Sequence, residues 1–279
     1  MAKLITQLTE EELKNIIDLY NNNVSLRQIE KITGRGRNAI AHMLEDLGIK
    51  TTKGNHYRYH TFNYDFFEKI DNELKAYWLG FLYADGCILS KGKYGEQDFQ
   101  LTLAERDLEI LEKYKKDLNS TYPIRYDYSK NQKNSNASIQ VIQKYRSQKT
   151  VDDLKKLGVV ENKSLILTFP TEEQVPSNLI YHFIRGYFDG DGSISEYNGR
   201  YNINIVGTEN FIKKLSTYFE GGGVYPDKRK KNSWYFNLGG NLQVLKAYHL
   251  LYDNANRYML RKYNKFQALV EKYDESQGI

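Results

Sequence analysis

The chain has one cysteine, Cys87, and four prolines in 279 residues. A single thiol excludes an intramolecular disulfide framework and any zinc site built from thiolates. So little proline excludes a collagen-like or polyproline chain. No apolar run approaches the roughly 18 residues of a membrane-spanning helix. The opening MAKLITQLTEEELKN is acidic and amphipathic, unlike a secretory leader. A strong charge of one sign is also lacking: 40 Lys and Arg face 35 Asp and Glu, a formal net charge of +5. With 40% hydrophobic and 27% charged residues, a disordered or coiled-coil chain is excluded. Tyrosine, asparagine and lysine are abundant, at 24, 24 and 28 residues. Such side chains suit a long wet surface that meets nucleic acid, and an AT-rich coding genome would raise Lys and Asn equally. The length accommodates two domains, or one large one, with a sizeable core.

The mild net charge is locally uneven. Residues 124–149 carry Arg125, Lys130, Lys133, Lys144, Arg146 and Lys149 against one acid, Asp127, and residues 227–231 read DKRKK. Basic hairpins of this kind meet phosphates; an ordinary solvated hairpin would carry the same charges.

Near the start, TEEELKNIIDLYN (9–21) opens with Thr9 as N-cap and Glu12 three residues on, a capping box ahead of an apolar stripe of Leu13, Ile16, Ile17 and Tyr20. SLRQIEKITG follows, with Ser25 able to cap and Gly34 ending the helix. A third helix over 36–47 turns Ile40, Met43, Leu44 and Leu47 inward and stops at Gly48. Three short helices with a tight middle turn predict a helix-turn-helix domain over residues 1–49. Arg35, Arg37, Asn38 and His42 would face a DNA groove or its phosphates. A small bundle that packs on another protein is the competing interpretation. Residues 50–70 have no clean period and read as a linker, in which Lys53 and Arg58, with Lys50 and His56, would follow a backbone groove. His42, His56 and His60 lack metal-ligand spacing and read as surface residues.

The strongest signal is an internal repeat. Residues 77–88 read YWLGFLYADGCI and residues 183–194 read FIRGYFDGDGSI. In each, an apolar helical stretch ends in Asp-Gly and passes into strand-like alternation. The first helix is expected to be capped by Asp71 or Asn72, the second by Ser177 or Asn178 after Pro176. Gly86 and Gly192 are expected to supply left-handed or tight-turn positions. Ala76, Gly80 and Ala84 recur every four residues, as do His182, Gly186 and Gly190, giving flat faces on which two backbones approach closely. Helices packed this way in the same sense bring Asp85 and Asp191 together. Two adjacent carboxylates resist joint ionisation; a hard divalent cation such as Mg²⁺ removes that penalty and suits oxygen ligands. Asp189, whose counterpart is Tyr83, is expected to brace the turn, and Cys87 to be a small buried residue.

After each helix comes the same order: two strands, a helix, two strands and a closing helix, over 149–157 and 241–253. The fold class is therefore α+β, two pseudo-symmetric αββαββα halves over 71–170 and 171–279 with paired antiparallel sheets around two central helices. The polar faces would show Gln100, Thr102, Ser138, Gln140, Asn202, Asn204, Tyr235 and Asn237 to base edges. Arg125, Lys144, Arg200, Lys228, Arg229 and Lys231 would flank them on phosphates. Lys144 and Lys230 are candidate lysines beside a scissile phosphate.

At this point the sequence resembles the LAGLIDADG homing endonucleases in their double-motif, single-chain form. Trp78-Leu79-Gly80-Phe81-Leu82-Tyr83-Ala84-Asp85-Gly86 is similar to the first motif. Ile184-Arg185-Gly186-Tyr187-Phe188-Asp189-Gly190-Asp191-Gly192 is similar to the second. The likeness spans about residues 71–270, including the tail Tyr258-Met259-Leu260-Arg261-Lys262-Tyr263. It departs at Tyr83, where the motif usually has an acid, and at Arg185, where a small apolar residue is usual. The resemblance places the metal-binding acids at Asp85 and Asp191. It implies a monomer that binds a long double-stranded DNA site and cuts both strands across the minor groove with Mg²⁺, Mn²⁺ or Ca²⁺ also fitting the site. It implies work in the cytoplasm of a bacterial or phage-infected cell, with the N-terminal unit an added DNA-binding module. A non-cleaving regulator or intron maturase of the same fold is the alternative. The first residue is neither Cys nor Ser and the chain ends Ser-Gln-Gly-Ile, so a freestanding or intron-encoded enzyme is expected rather than an intein.

Overall fold

The two Asp-Gly repeats fold as helices that lie side by side. The computed structural model describes residues 8–21, 24, 26–49, 51, 60–91, 97–128, 138–161, 163, 166–228, 230 and 232–277. The chain divides into two compact units, Met1–Thr61 and Phe62–Ile279.

The first unit holds α1 (Glu10–Asn21), α2 (Leu26–Thr33) and α3 (Arg37–Asp46). Its capping box is formed as expected: the Thr9 N–H donates to Glu12 Oε2 at 3.1 Å and the Glu12 N–H to Thr9 Oγ1 at 3.2 Å. Ile16, Tyr20, Ile29, Ile40, Met43 and Leu44 make its core. The turn from α2 to α3 needs Gly34 at φ +69°. Ser25, Lys50, Lys53, His56 and Arg58 lie outside the described residues. The segment read as a linker ends inside a core: Phe62, Phe66, Phe67 and Ile70 are buried in the second unit. Phe62 packs against Phe99 and Tyr145, and Phe66 against Phe67.

The second unit begins with α4 (Glu73–Asp85), capped by Asn72, whose side chain accepts from the Lys75 N–H. There follow β1 (Gly86–Ile88), β2 (Asp98–Ala104), α5 (Leu108–Asp117), β3 (Arg125–Asp127), β4 (Gln140–Arg146) and α6 (Gln148–Lys156). The same order recurs as α7 (Ile180–Asp191), β5 (Gly192–Tyr197), β6 (Arg200–Gly207), α8 (Glu209–Ser216), β7 (Gly223–Pro226), β8 (Trp234–Gly239) and α9 (Asn241–Tyr252). The two four-stranded antiparallel sheets share one topology, β1-β2-β4-β3 and β5-β6-β8-β7. The α+β architecture of two pseudo-symmetric halves is thus present. A helix not expected from the sequence, α10 (Leu260–Gln277), follows, burying Phe266 and Leu269. The start of α7 also differs from expectation: a 3₁₀ turn over Ser177–Leu179 leads in, and no side chain caps the helix.

Why α4 and α7 meet so closely is a matter of missing atoms. A Cβ at Gly80 would overlap the Phe183 carbonyl oxygen, one at Gly186 the Tyr77 carbonyl oxygen, and one at Gly190 the Ala84 Cβ. The backbones therefore touch, with Tyr77, Trp78, Phe81, Phe183, Tyr187 and Phe188 all buried around them. Gly80→Ala is expected to lower the unfolding free energy by about 2–3 kcal/mol, seen as an earlier denaturant midpoint. Gly239→Ala, where an added Cβ meets nothing closer than 4.0 Å, is expected to shift it by less than ~0.5 kcal/mol. Equal midpoints for the two variants would rule out backbone contact as the reason for glycine.

Candidate active site and nucleic-acid interface

Helix α4 ends at Asp85 and α7 at Asp191, and each passes directly into the first strand of its sheet. Of the two expected alternatives, left-handed or tight-turn, Gly86 and Gly192 take the second: their φ values are −72° and −91°, in extended backbone. Glycine is required there for space. A Cβ would stand 2.6 Å from the Leu82 carbonyl oxygen at Gly86 and 2.5 Å from the Phe188 carbonyl oxygen at Gly192. The tight exit aims both acids at the same spot. Asp85 Oδ2 lies 3.2 Å from where a Cβ on Gly190 would be, on the helix turn that carries Asp191.

The acids are electrically coupled. Burial first, and then the charge of Asp191, push the Asp85 carboxyl up to about 6. Asp191 is exposed at the end of α7, yet desolvation by the protein around it raises its carboxyl too, against the pull of Lys163 and Lys262. Those two lysines occupy matching places. The Lys163 ammonium donates to the Ala84 carbonyl oxygen at 2.7 Å, at the end of α4. The Lys262 ammonium donates to the carbonyl oxygens of Phe188 and Asp189 at 2.7 Å and of Gly192 at 2.5 Å, at the end of α7. Each half thus returns a cation from beyond its closing helix to the negative end of its own motif helix. Burial lowers the pKa of both, that of Lys262 to about 8. A cavity of about 260 Å³ beside Asp191 is lined by Lys163, Tyr187 and Lys230 among others.

Behind the acids lies a satisfied polar network. Asp189 is fully buried and accepts from the Tyr77 hydroxyl at 2.9 Å, the Tyr252 hydroxyl at 2.8 Å and the Met259 N–H at 2.8 Å. It braces the helix pair and does not reach the surface with Asp191. Arg185, 1% exposed, donates to Glu73 at 2.6 Å, to the Leu251 carbonyl at 2.7 Å and to the Arg257 carbonyl at 2.8 Å. Residues 256–262 bind both halves: Asn256 to Glu73, Arg257 to Asp117 at 2.5 and 2.6 Å, and Arg261 to Asp107 at 2.6 and 3.1 Å.

Among the residues proposed to meet DNA, Gln100, Thr102 and Gln140 alternate with buried neighbours on the first sheet, as do Asn202, Asn204, Tyr235 and Asn237 on the second. Arg125, Arg200 and Lys228 are exposed. Arg229 and Lys231 lie outside the described residues. Lys230 stands beside Asp191. Lys144 instead pairs with Asp98 at 2.8 Å. Cys87 is exposed, not buried: Gly86 and Ile88 point inward, so Cys87, paired in register with Gln100, faces out. Its counterpart Ser193 pairs with Asn204 in the same way. In the first unit, Arg37, Asn38 and His42 are exposed on α3. Arg35 is a correction: it is 4% exposed and pairs with Glu12 at 3.5 Å, because the turn that holds it folds back over α1.

No family model matches the sequence. Over 218 residues, 77% of this chain, it is 27% identical to a probable translation initiation factor IF-2 of Methanocaldococcus jannaschii, and the match spans 17% of that protein's length. The structure is similar to the LAGLIDADG homing endonuclease I-GzeII in complex with its DNA target. The TM-score is 0.50 at 15% identity, over 74% of this chain and 92% of that one. It is also similar to I-LtrWI bound to target DNA (TM-score 0.49, 13% identity, 76% and 92% covered) and to I-AabMI bound to uncleaved DNA (0.49, 16%, 75% and 92%). The likeness to I-GzeII shows the fold: two αββαββα halves around paired central helices.

A carboxyl held up near 6 favours the folded state fully below its unfolded pKa of about 4, and that favour is lost as pH rises through about 6. Asp85→Asn is therefore expected to melt higher than the parent by roughly 2–6 °C at pH 7.5 without metal, the gap closing near pH 4. A gap of constant size across that range would remove ionisation as its cause.

Proposed function

We propose that the chain is a metal-dependent, site-specific endonuclease of double-stranded DNA. The observation that carries this reading is the meeting of Asp85 and Asp191 at the ends of two glycine-packed helices, where two polar sheet faces begin. A protein that merely bound DNA would gain nothing from two carboxylates that oppose each other's ionisation.

The donor set fits a hard cation. Among the described residues no group of three or more His, Cys, Asp or Glu could hold a metal, so Asp85 and Asp191 would hold an ion that keeps other oxygen ligands, as Mg²⁺ does. Mn²⁺ and Ca²⁺ suit the same oxygens. When bound, the cation supplies Lewis acidity and an activated water for phosphodiester hydrolysis. The chain's own groups do the rest. Lys163, Lys262 and Lys230 place positive charge beside the acids, where the charge of a cleaved phosphate develops. Lys144, held by Asp98, serves better as a backbone contact than as a catalytic group. The two sheets lie along the major groove on either side, and Arg125, Arg200 and Lys228 meet phosphates. One chain supplies both acids and both sheets, so a monomer suffices. The first unit acts as a helix-turn-helix module, with Arg37, Asn38 and His42 on its recognition helix, adding affinity through linkage.

Incubation with a cognate duplex in Mg²⁺ is expected to give cut product. Asp85→Asn and Asp191→Asn are each expected to reduce the cutting rate by at least ~10³-fold while DNA binding by gel shift persists. Cutting that survives either substitution would sink the assignment of the acids, and binding without cutting by the parent would favour a regulator or maturase.

A further inference from the structure

The registers of the two sheets define which side chains stand near the acids and which stand far away. Asp85 and Asp191 precede Gly86 and Gly192, which pair with Leu101 and Ile205. The end of the first sheet near Asp98 and Arg146, and the end of the second near Arg200, are therefore distal. Between them, the outward positions of the central strands are mostly amides and methyl groups, with Lys144 and Tyr235 the exceptions. Five are amides: Gln100 and Gln140 on the first sheet, Asn202, Asn204 and Asn237 on the second. Four present methyl groups: Thr102 opposite Ile142, Ala104 opposite Gln140, and Val206. Ile142 and Val206 are apolar groups on otherwise polar faces, Val206 being 38% exposed.

The cations are placed differently. On the first sheet, Arg146 is bound by Asp98 at 2.8 and 3.4 Å, and Lys144 by the same carboxylate at 2.8 Å. Arg125 stands on the outermost strand. On the second sheet, Arg200 lies at the distal hairpin, opposite Tyr197. Between the two distal ends the central rows therefore hold no guanidinium, and their one cation, Lys144 opposite Gln100, is held by Asp98.

Base edges discriminate between these groups. Adenine shows the major groove one acceptor, N7, and one donor, N6–H₂, and a side-chain amide matches both. Guanine shows two acceptors, N7 and O6, which call for the donors of a guanidinium or an ammonium free to reach them. The thymine methyl calls for an apolar contact. The amides are also pre-oriented: Asn237 Nδ2 donates to Asn202 Oδ1 at 3.0 Å, and Gln100 Nε2 to Thr102 Oγ1 at 3.3 Å. We propose that the central rows of both sheets read A·T base pairs, so that each half of the target is A·T-rich beneath its sheet. This rests on the reading of the sheets as a DNA-binding surface.

The test is a binding selection with the full-length protein, without divalent metal, from a randomised duplex library. Retained sequences are expected to favour A·T over G·C by about tenfold at the positions beneath the central rows. Asn204→Arg and, separately, Asn237→Arg are each expected to shift one such position from adenine to guanine. Specific binding with G·C, or with no base preference, at those positions would overturn the inference and leave the endonuclease reading standing. So would Arg variants that bind with an unchanged preference. Binding without any sequence preference at any position would overturn both.

Discussion

The contact on which the second unit depends is the one between the backbones of its two central helices. Gly80 lies against the Phe183 carbonyl and Gly186 against the Tyr77 carbonyl, so the helices cross with no side chain between them. That closeness sets the separation of everything attached to their ends. Because the contacts pair residues 77, 80 and 84 with 186, 183 and 190, the helices run in the same sense and their C-termini coincide. The two acids and the first strands of both sheets follow from this. The large aromatic residues on the outer faces of the helices fill the space between helix pair and sheets, so the same contact organises the core.

Bringing two carboxylates and two helix C-termini to one place concentrates negative charge, and the surrounding architecture answers it. Lys163 and Lys262 arrive from outside the motif helices and bind their terminal carbonyl oxygens. Neither lysine forms an ion pair with Asp85 or Asp191 in the way that Arg257 does with Asp117, yet both act on the acids through space. Deeper in, Arg185 and Asp189 are charges in a dry interior, tolerable because every polar atom given to them has a partner. The segment 256–262 supplies many of those partners and at the same time joins α5 of the first half through Asp107 and Asp117. A single strap thereby closes the network and fastens the halves together.

Much of this was legible in the sequence. The repeat of glycine, small residue and Asp-Gly at a spacing of 106 residues marked the helix pair, their parallel sense and the acids. Strand alternation marked which residues face out, and Thr9 with Glu12 marked the first helix. Between a left-handed and a tight-turn glycine the sequence did not choose; Gly86 and Gly192 are extended and are needed because a carbonyl of the preceding turn stands too near for a Cβ. The errors have physical reasons. Cys87 was read by residue type, whereas strand parity puts it outside. Arg35 was read as a groove contact from its charge, whereas its position in a three-residue turn folds it inward. Lys163 and Lys262 were missed as members of the site because they lie 78 and 71 residues beyond the acids whose helices they cap; Lys262 lay in the family-like tail, but nothing there tied it to the acids. The helix over Leu260–Gln277 did carry a signal, with Tyr263, Phe266, Val270 and Tyr273 at helical spacing.

Symmetry of the fold and asymmetry of its side chains have different consequences. The two halves share strand order and the placement of acid and lysine, so their chemistry is equivalent to first order. Their outward faces are not equivalent: Gln100 pairs with Lys144 on one sheet, where Asn204 pairs with Asn237 on the other. The environments of the acids differ as well, since Tyr187 stands beside Asp191 and Asp107 acts on Asp85. Joining the halves in one chain is what permits this divergence. In a homodimer every change to one face would be copied to the other, and the target would be constrained to a palindrome. Here each sheet is free to diverge separately, as the proposed DNA target would require, while the glycine contact between the helices keeps the two carboxylates, and hence the proposed cutting chemistry, under one geometric constraint.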